Sequence, residues 1–178
     1  SRSSPDNESR LVTTLGLAIS KGDRFDWAIK KATELGVTSI VPLLTKRVDV
    51  RLPPDRWVKK RAHWQQAVIA ACEQSGRAYV PTVCDAQPLA SWLLTLEADT
   101  RFVLDPRTLT AARTADQPDH IALLIGPEGG LTDEEIELAI ASQFVGLSLG
   151  PRVMRTETAP IAALSIIGAK WGDLNSFE

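Results

Sequence analysis

The sequence predicts an α/β domain built on a largely parallel sheet, and three observations carry that prediction. Strand-like apolar runs alternate with helix-patterned segments along the whole chain, the order expected of consecutive strand–helix units. The length of 178 residues suits a single domain with a sizeable core. Two strand-like runs end in glycine turns, Gly126-Pro127-Glu128-Gly129-Gly130 and Gly150-Pro151-Arg152. In open α/β sheets such turns at the carboxyl ends of strands let a backbone approach a ligand closely.

Each element follows from its own pattern. Residues 11–19 form an apolar-rich run that reads as a strand. Phe25, Ala28, Ile29, Ala32 and Leu35 recur at the spacing of one helix face, and Gly36 sits where a C-terminal capping glycine belongs. Residues 39–44 read as a short buried-type strand. A long helix follows over 55–74, with Trp57, Trp64, Val68 and Cys72 on one side and Gly76 ending it. Residues 80–83 make a possible strand, 88–96 a short helix, and 101–104 another strand ending at Asp105-Pro106. A polar segment over 107–120 leads into a strand at 121–125. Thr132 and Glu135 form a capping box for a helix over 133–142, whose acidic first turn suits the helix dipole. Residues 145–149 read as a strand. The last helix, over 160–171, is almost wholly apolar or small, so its faces must be buried in the core or against another subunit. No internal repeat or low-complexity segment interrupts the chain.

Composition narrows the class. A hydrophobic share of 44% and a charged share of 24% are ordinary for a globular protein. No apolar run approaches the roughly 20 residues of a membrane span, and the polar residues 1–10 lack the apolar core of a secretion signal. They read as a linker or a cut domain boundary, with a domain over 11–178 and a cytoplasmic location. Cys72 and Cys84 fit neither a disulfide framework nor a zinc site, and no metal-ligating constellation is present. The net charge of −2 hides a basic stretch of Lys46, Arg47, Arg51, Arg56, Lys59, Lys60 and Arg61 against Asp49 and Asp55. Such a patch is either a solvated helix face or the footprint of a nucleic-acid contact.

The first glycine loop matches neither the dinucleotide fingerprint nor a phosphate loop, because its spacing differs and no Gly-Lys-Ser/Thr follows. Alone, it could be a tight strand-to-helix connection. In the second, Arg152, Arg155 and Glu157 stand at a strand end among apolar neighbours, as a structural ion pair or as ligand-binding groups. One helix apart, the two loops together favour one pocket.

Four stretches in order carry a more specific signal: Lys31-Ala32-Thr33-Glu34-Leu35-Gly36-Val37, Glu73-Gln74-Ser75-Gly76-Arg77, the segment 124–132 and the segment 149–159. Together they resemble the bacterial 16S ribosomal RNA uridine-N3 methyltransferases (RsmE type) of the SPOUT superfamily, over about residues 15–174. The resemblance implies an α/β fold with a C-terminal trefoil knot and a homodimer with its site at the subunit interface. It also implies S-adenosylmethionine bound along Leu104 and Pro106, Gly126, Pro127, Glu128, Gly129 and Gly130, and Leu149, Gly150, Val153 and Met154. The substrate it implies is 16S ribosomal RNA, within the small ribosomal subunit. The family's N-terminal PUA-type RNA-binding domain is absent here, so residues 1–10 would be the remnant of the linker after it. Pro160 stands where relatives more often carry a small non-proline residue, and in a first turn it should be silent.

Catalytic roles are expected of Arg155, as the donor to the developing oxyanion, and of Arg152, orienting phosphate or cofactor carboxylate. Glu157 would be the base or the group that holds Arg155, and Glu128 a weaker base or a brace for backbone amides. RNA contacts are expected from Arg47, Lys59, Lys60, Arg61 and Arg77. His63 and His120 read as structural or solvated, and the tryptophans at 57, 64 and 171 as core. The alternatives are a SPOUT methyltransferase acting on another RNA nucleotide, and a non-catalytic RNA-binding or ribosome-assembly module.

Overall fold

The structure is a computed structural model describing residues 7–48, 50–107 and 117–174. Asp49, most of the polar segment 107–120, the first six residues of the linker reading and the last four of the domain lie outside the described residues. In chain order the elements are β1 (Val12–Ala18), α1 (Arg24–Glu34), β2 (Ser39–Leu44), α2 (Pro54–Ser75), β3 (Thr82–Val83), β4 (Gln87–Pro88), α3 (Leu89–Thr95), β5 (Thr100–Leu104), β6 (His120–Ile125), α4 (Asp133–Ala141), β7 (Val145–Leu147) and α5 (Thr158–Trp171). The strands run in the order β3-β2-β1-β6-β5-β7, with β4 paired to the end of β2, and every pairing is parallel.

β1 and β6 sit at the centre, and their long burial explains why both read as near-continuous apolar runs. Alternate side chains divide between the two faces of the sheet, as strand geometry requires. Leu15, Leu17, Leu123 and Phe102 pack with Phe25, Ile29, Trp64, Val68, Leu164 and Ile167 of α1, α2 and α5. Leu43, Val103, Ala122 and Leu124 pack with Leu89, Trp92, Ile136 and Ala139 of α3 and α4. The Phe25 and Trp64 rings lie 4.6 Å apart, and Trp171 stacks on Phe102 at 6.0 Å.

Helix ends follow local chemistry. α2 starts with Pro54 in its first turn and stops at Gly76, which is left-handed at φ 74°. Thr132 and Glu135 complete the capping box of α4. Most boundaries shift by a residue or two, the strand read over 80–83 shortens to Thr82–Val83, and three further differences bear on the site or the core. β7 ends at Leu147, which leaves Leu149 in the following loop. Gln87–Pro88 pair with β2, so the short helix starts one residue later. α5 starts at Thr158 and buries Ala159, Pro160, Ala163, Leu164, Ile167 and Gly168, while Ile166 is 49% exposed. It is therefore buried along one side, not all round.

Arg77 ties the chain's described start to the helical layer. Its side chain is only 6% exposed, its Nη1 donates to the carbonyls of Thr33 and Val37 at 2.9 and 2.8 Å, and its Nη2 meets Glu8 at 2.7 Å. Asn7 donates to the Gly76 carbonyl at 2.6 Å. Residues 7–10 are thus fastened to the domain. Both histidines are engaged in structural contacts. His63 pairs with Asp26, and His120 meets Thr14 Oγ1 at 2.8 Å at the opposite sheet edge, where burial lowers its pKa against the pull of Asp99. No described helix is long and apolar enough to cross a membrane.

Gly16 lies under the indole of Trp92, and a Cβ there would meet the ring at 2.4 Å. Gly16→Ala should therefore overpack the centre of the sheet and cost about 1–3 kcal/mol, read as a lowered urea midpoint at unchanged slope.

Candidate active site

In an all-parallel sheet every strand ends on the same edge. Here β1 leads to α1 on one face and the neighbouring β6 leads to α4 on the other, which opens a crevice between their carboxyl ends. A cleft of about 570 Å³ lies there, within the usual range for small-molecule sites. Its lining comes from the segments after β5 (Leu104, Asp105, Pro106, Arg107), after β6 (Gly126 to Leu131, then Asp133) and after β7 (Val153 to Glu157). The start of α1 adds Arg24 and the β2–α2 loop adds Arg47.

The β6 loop owes its shape to its glycines. A Cβ on Gly126 would meet Leu131 at 2.9 Å, and Gly130 has φ 74°, which disfavours any side chain. Neighbouring segments hold this loop from three sides. Thr156, buried in the β7–α5 connection, donates its hydroxyl to the Gly126 carbonyl at 3.2 Å. Arg47 donates to the Gly129 carbonyl. Glu128 Oε1 accepts from the Lys21 amide at 3.2 Å and from Arg24 Nη1 at 3.1 Å.

Two carboxylates act as braces. Partial burial pushes the Glu128 carboxyl upward, but its own amide, the Lys21 amide and Arg24 outweigh this and hold it below the ordinary 4.5. An ionised carboxylate so engaged is a poor proton acceptor, so Glu128 braces the loop. Glu135 is 6% exposed and uses both oxygens: Oε2 accepts from the Thr132 amide at 2.9 Å and Oε1 from the Lys46 amide at 2.6 Å. It therefore locks the start of α4 to the loop that carries Arg47. Across the mouth, Arg107 binds Asp105 at 3.0 Å and also Asp133, and these hydrogen bonds push its pKa upward.

The expected site residues divide accordingly. Leu104, Pro106, Gly126, Pro127, Glu128, Gly129, Gly130, Val153, Met154, Arg155, Glu157 and Arg47 all line the cleft. Leu149, Gly150 and Arg152 lie in the β7 loop outside that lining. Arg155 is exposed and makes no side-chain hydrogen bond or ion pair to any described residue, unlike Arg24, Arg47 and Arg107. Its carbonyl accepts from the amides of Thr158 and Ala159 and so helps start α5. Lys59, Lys60 and Arg61 sit on α2 away from the cleft, with Lys60 over the Trp64 ring and Arg61 bound to the Val83 carbonyl and near Asp85. Arg77 does not fit an RNA contact, because its guanidinium is buried and spends its donors on Thr33, Val37 and Glu8. Sequence reasoning missed Arg24, Arg107 and Asp133 as lining residues. The basic Arg24 beside a helix start carried no distinguishing pattern.

The model for an RNA methyltransferase domain matches residues 7–168. A ribosomal RNA small subunit methyltransferase E from Buchnera aphidicola (Schizaphis graminum) is 38% identical, over 94% of this chain and 69% of its own length. The Bacillus subtilis protein of that name is 35% identical, over 90% of this chain and 68% of its own. The Neisseria gonorrhoeae protein of that name, solved bound to S-adenosyl methionine, superposes with a TM-score of 0.89 at 39% identity, over 96% of this chain and 71% of the other. The chain thus spans about two thirds of the length of these relatives.

Glu128→Gln tests the bracing of the β6 loop. A carboxyl held below 4.5 in the folded state stabilises fully above that value, and the contribution is lost as pH falls through the folded value. The variant should speed amide exchange over residues 126–130 by roughly tenfold or less at neutral pH, as expected for one modest interaction. It should also abolish the further loss of protection, taken relative to the intrinsic exchange rate, that the unsubstituted chain shows in acid.

Proposed function

The chain belongs to the RNA methyltransferase domain family, and we propose that it transfers the methyl group of S-adenosylmethionine to N3 of a uridine in 16S, small-subunit, ribosomal RNA. The observation that carries this reading is the convergence of the β5, β6 and β7 loops on one cleft at the sheet's switch point, with an uncommitted Arg155 at its edge. Relatives of the same name, one solved with this donor, support it.

The cleft suits the donor on its own evidence. A side chain at Gly126 would clash with Leu131, the backbone at Gly130 has the left-handed φ that favours glycine, and the cleft's volume is that of a small-molecule site. Residues Leu104 to Pro106, Gly126 to Gly130, and Val153 with Met154 would hold it. Leu149 and Gly150 would set the turn of the third loop. When bound, the donor supplies a methyl group already activated by a sulfonium.

The protein's task is then to place uracil N3 in line with that methyl and to let its proton leave. Holding the reactants at near-attack distance alone is worth roughly 7–11 kcal/mol. Loss of the N3 proton spreads negative charge over O2 and O4. Arg155, with its donors uncommitted, is positioned at the cleft to stabilise that charge. Glu157, half-buried and lining the cleft two residues on, either accepts the proton or holds Arg155 in place. Arg152, exposed in the same connection, would orient phosphate from outside the lining. The N3–C bond forms as the S–C bond breaks, and the sulfur leaves as a neutral thioether.

Three finer points belong to this reading. The chain works as a homodimer, supported by the exposed Ile166 of α5 and Trp27 of α1, on helices that pack side by side. The β7–α5 connection threads as a trefoil knot, as in the family it resembles. The setting is the cytoplasm, where ribosomal RNA is found.

Two experiments test the proposal. Arg155→Ala should reduce methyl transfer at least about 10²-fold, the cost of losing one oxyanion donor, while calorimetric affinity for S-adenosylmethionine stays within a few-fold. Unchanged turnover, measured as N3-methyluridine by mass spectrometry of the RNA, would remove Arg155 from the reaction. Lys59→Gln with Lys60→Gln should weaken RNA binding and make its salt dependence shallower by about 1.4 in the log–log slope. A slope unchanged from the parent would leave α2 a solvated face.

A further inference from the structure

The cleft has two halves that differ in charge. The segments after β5, β6 and β7 line it with four carboxylates, Asp105, Glu128, Asp133 and Glu157, against two arginines, Arg107 and Arg155. The segments after β1 and β2 line it with Arg24 and Arg47 and with no acid. The sheet order separates these halves, because β1 and β2 lie on one side of the switch point and β6, β5 and β7 on the other.

We infer that Arg24 and Arg47 form the wall of the cleft that takes the phosphates of an RNA strand on either side of the methylated nucleotide. This deepens the methyltransferase reading and rests on it. Neither guanidinium is saturated: Arg24 spends Nη1 on Glu128, Arg47 spends Nη1 on the Gly129 carbonyl, and both side chains are exposed. The remaining N–H groups are free to fork around phosphate oxygens, which suits arginine's planar geometry. Exposed Lys21, Lys46 and Arg51 continue the same surface along both loops. The carboxylates nearby do not neutralise it. The Arg24–Glu128 and Lys46–Glu134 pairs are both solvent-exposed, the second at 3.6 Å, and such pairs contribute little that a phosphate could not replace.

The electrostatics favour RNA over the donor on this wall. The donor's sulfonium is disfavoured beside two arginines and favoured by the carboxylate-rich half, and the donor has one carboxylate to offer, whereas successive phosphates of an RNA strand can engage both guanidinium groups. Glu135 and Glu128 also hold the two basic loops against the β6 loop, so the wall is preorganised with respect to the donor. That arrangement can set the target nucleotide against the methyl group without Arg24 or Arg47 touching either reacting atom.

The test compares the 178-residue chain with Arg24→Gln/Arg47→Gln and with Arg24→Lys/Arg47→Lys, using a small-subunit ribosomal RNA transcript with unpaired uridines and, separately, S-adenosylmethionine. The glutamine pair should make the salt slope of RNA binding shallower by about 1.4, two single-strand contacts at about 0.7 each. The lysine pair should keep the slope, and donor affinity should fall by about tenfold or less in either pair, because the Lys21–Glu128, Thr156–Gly126 and Lys46–Glu135 bonds still hold the β6 loop when the arginine contacts are lost. An unchanged slope in the glutamine pair overturns the inference alone. So does a loss of donor affinity with the slope intact, which would assign the arginines to the donor half. If the unsubstituted chain binds the donor but no RNA, the wall falls and the methyltransferase reading stands; if it binds no donor, that reading falls too.

Discussion

The parallel pairing of β1 with β6 decides where everything else in this molecule lies. The two strands are more than a hundred residues apart in the chain, yet they run in register from Val12 opposite His120 to Leu17 opposite Ile125. Because both are buried on two faces, the pairing could not slip by one residue without exchanging the side chains that face α1 and α5 for those that face α3 and α4. Gly16 marks the tightest point, where the Trp92 ring presses on the backbone itself. Right-handed parallel crossovers then send α1 to one face and α4 to the other, so the two chains diverge at the carboxyl end of this pair. The cleft is the space left by that divergence.

A space bounded by loops is useful only if the loops are held, and here carboxylates do much of the holding. Glu135 spends its two oxygens on the start of its own helix and on the Lys46 amide, and Glu128 gathers the Lys21 amide and Arg24. Asp105 and Asp133 anchor Arg107 across the mouth. Each is a charge-assisted hydrogen bond with a backbone or guanidinium donor, stronger than a neutral one. Against this background the chemical significance of Arg155 is that its donors are uncommitted. Among the described residues, the other lining arginines each spend at least one donor, whereas the Arg155 side chain spends none, at the end of the connection that Thr156 stitches to Gly126.

The sequence was legible where one residue type answers to one physical demand. Buried parallel strands demand unbroken apolar runs, so β1, β2 and β6 could be read within a residue or two. The Thr132–Glu135 box announced α4 because only a hydroxyl and a carboxylate at that spacing satisfy both amides. The glycine loops were legible as turns, and their order along the chain carried the family likeness. What escaped depends on pairings that no local pattern encodes. Gln87–Pro88 became a strand only because the end of β2 lay open beside it. Arg77 looked like a surface cation at a helix end, but Thr33, Val37 and Glu8 converge on it from distant segments. Arg24 looked like one more charge at the start of a helix. Its place in the cleft follows from β1 being the neighbour of β6, which is a property of the sheet and not of the segment.

The unequal charge of the two halves bears on turnover as well as on recognition. On the proposed reading the donor enters with a positive sulfonium and leaves as a neutral thioether, while the uracil N3 loses a proton and gains a methyl. Asp105, Glu128, Asp133 and Glu157 face the cleft from the half that would hold the donor. Their field loses its attraction to the sulfonium when the methyl departs and keeps only its interaction with the charged amino-acid end, which favours release on this reading. The basic wall behaves differently, because the phosphates it would hold carry the same charge before and after reaction. One cleft can therefore discharge its spent cofactor while the RNA still occupies the other wall. The order of release would then be set by which half changes its electrostatic partner during the step, with Arg155 at the boundary as the residue that senses the transient charge on the base.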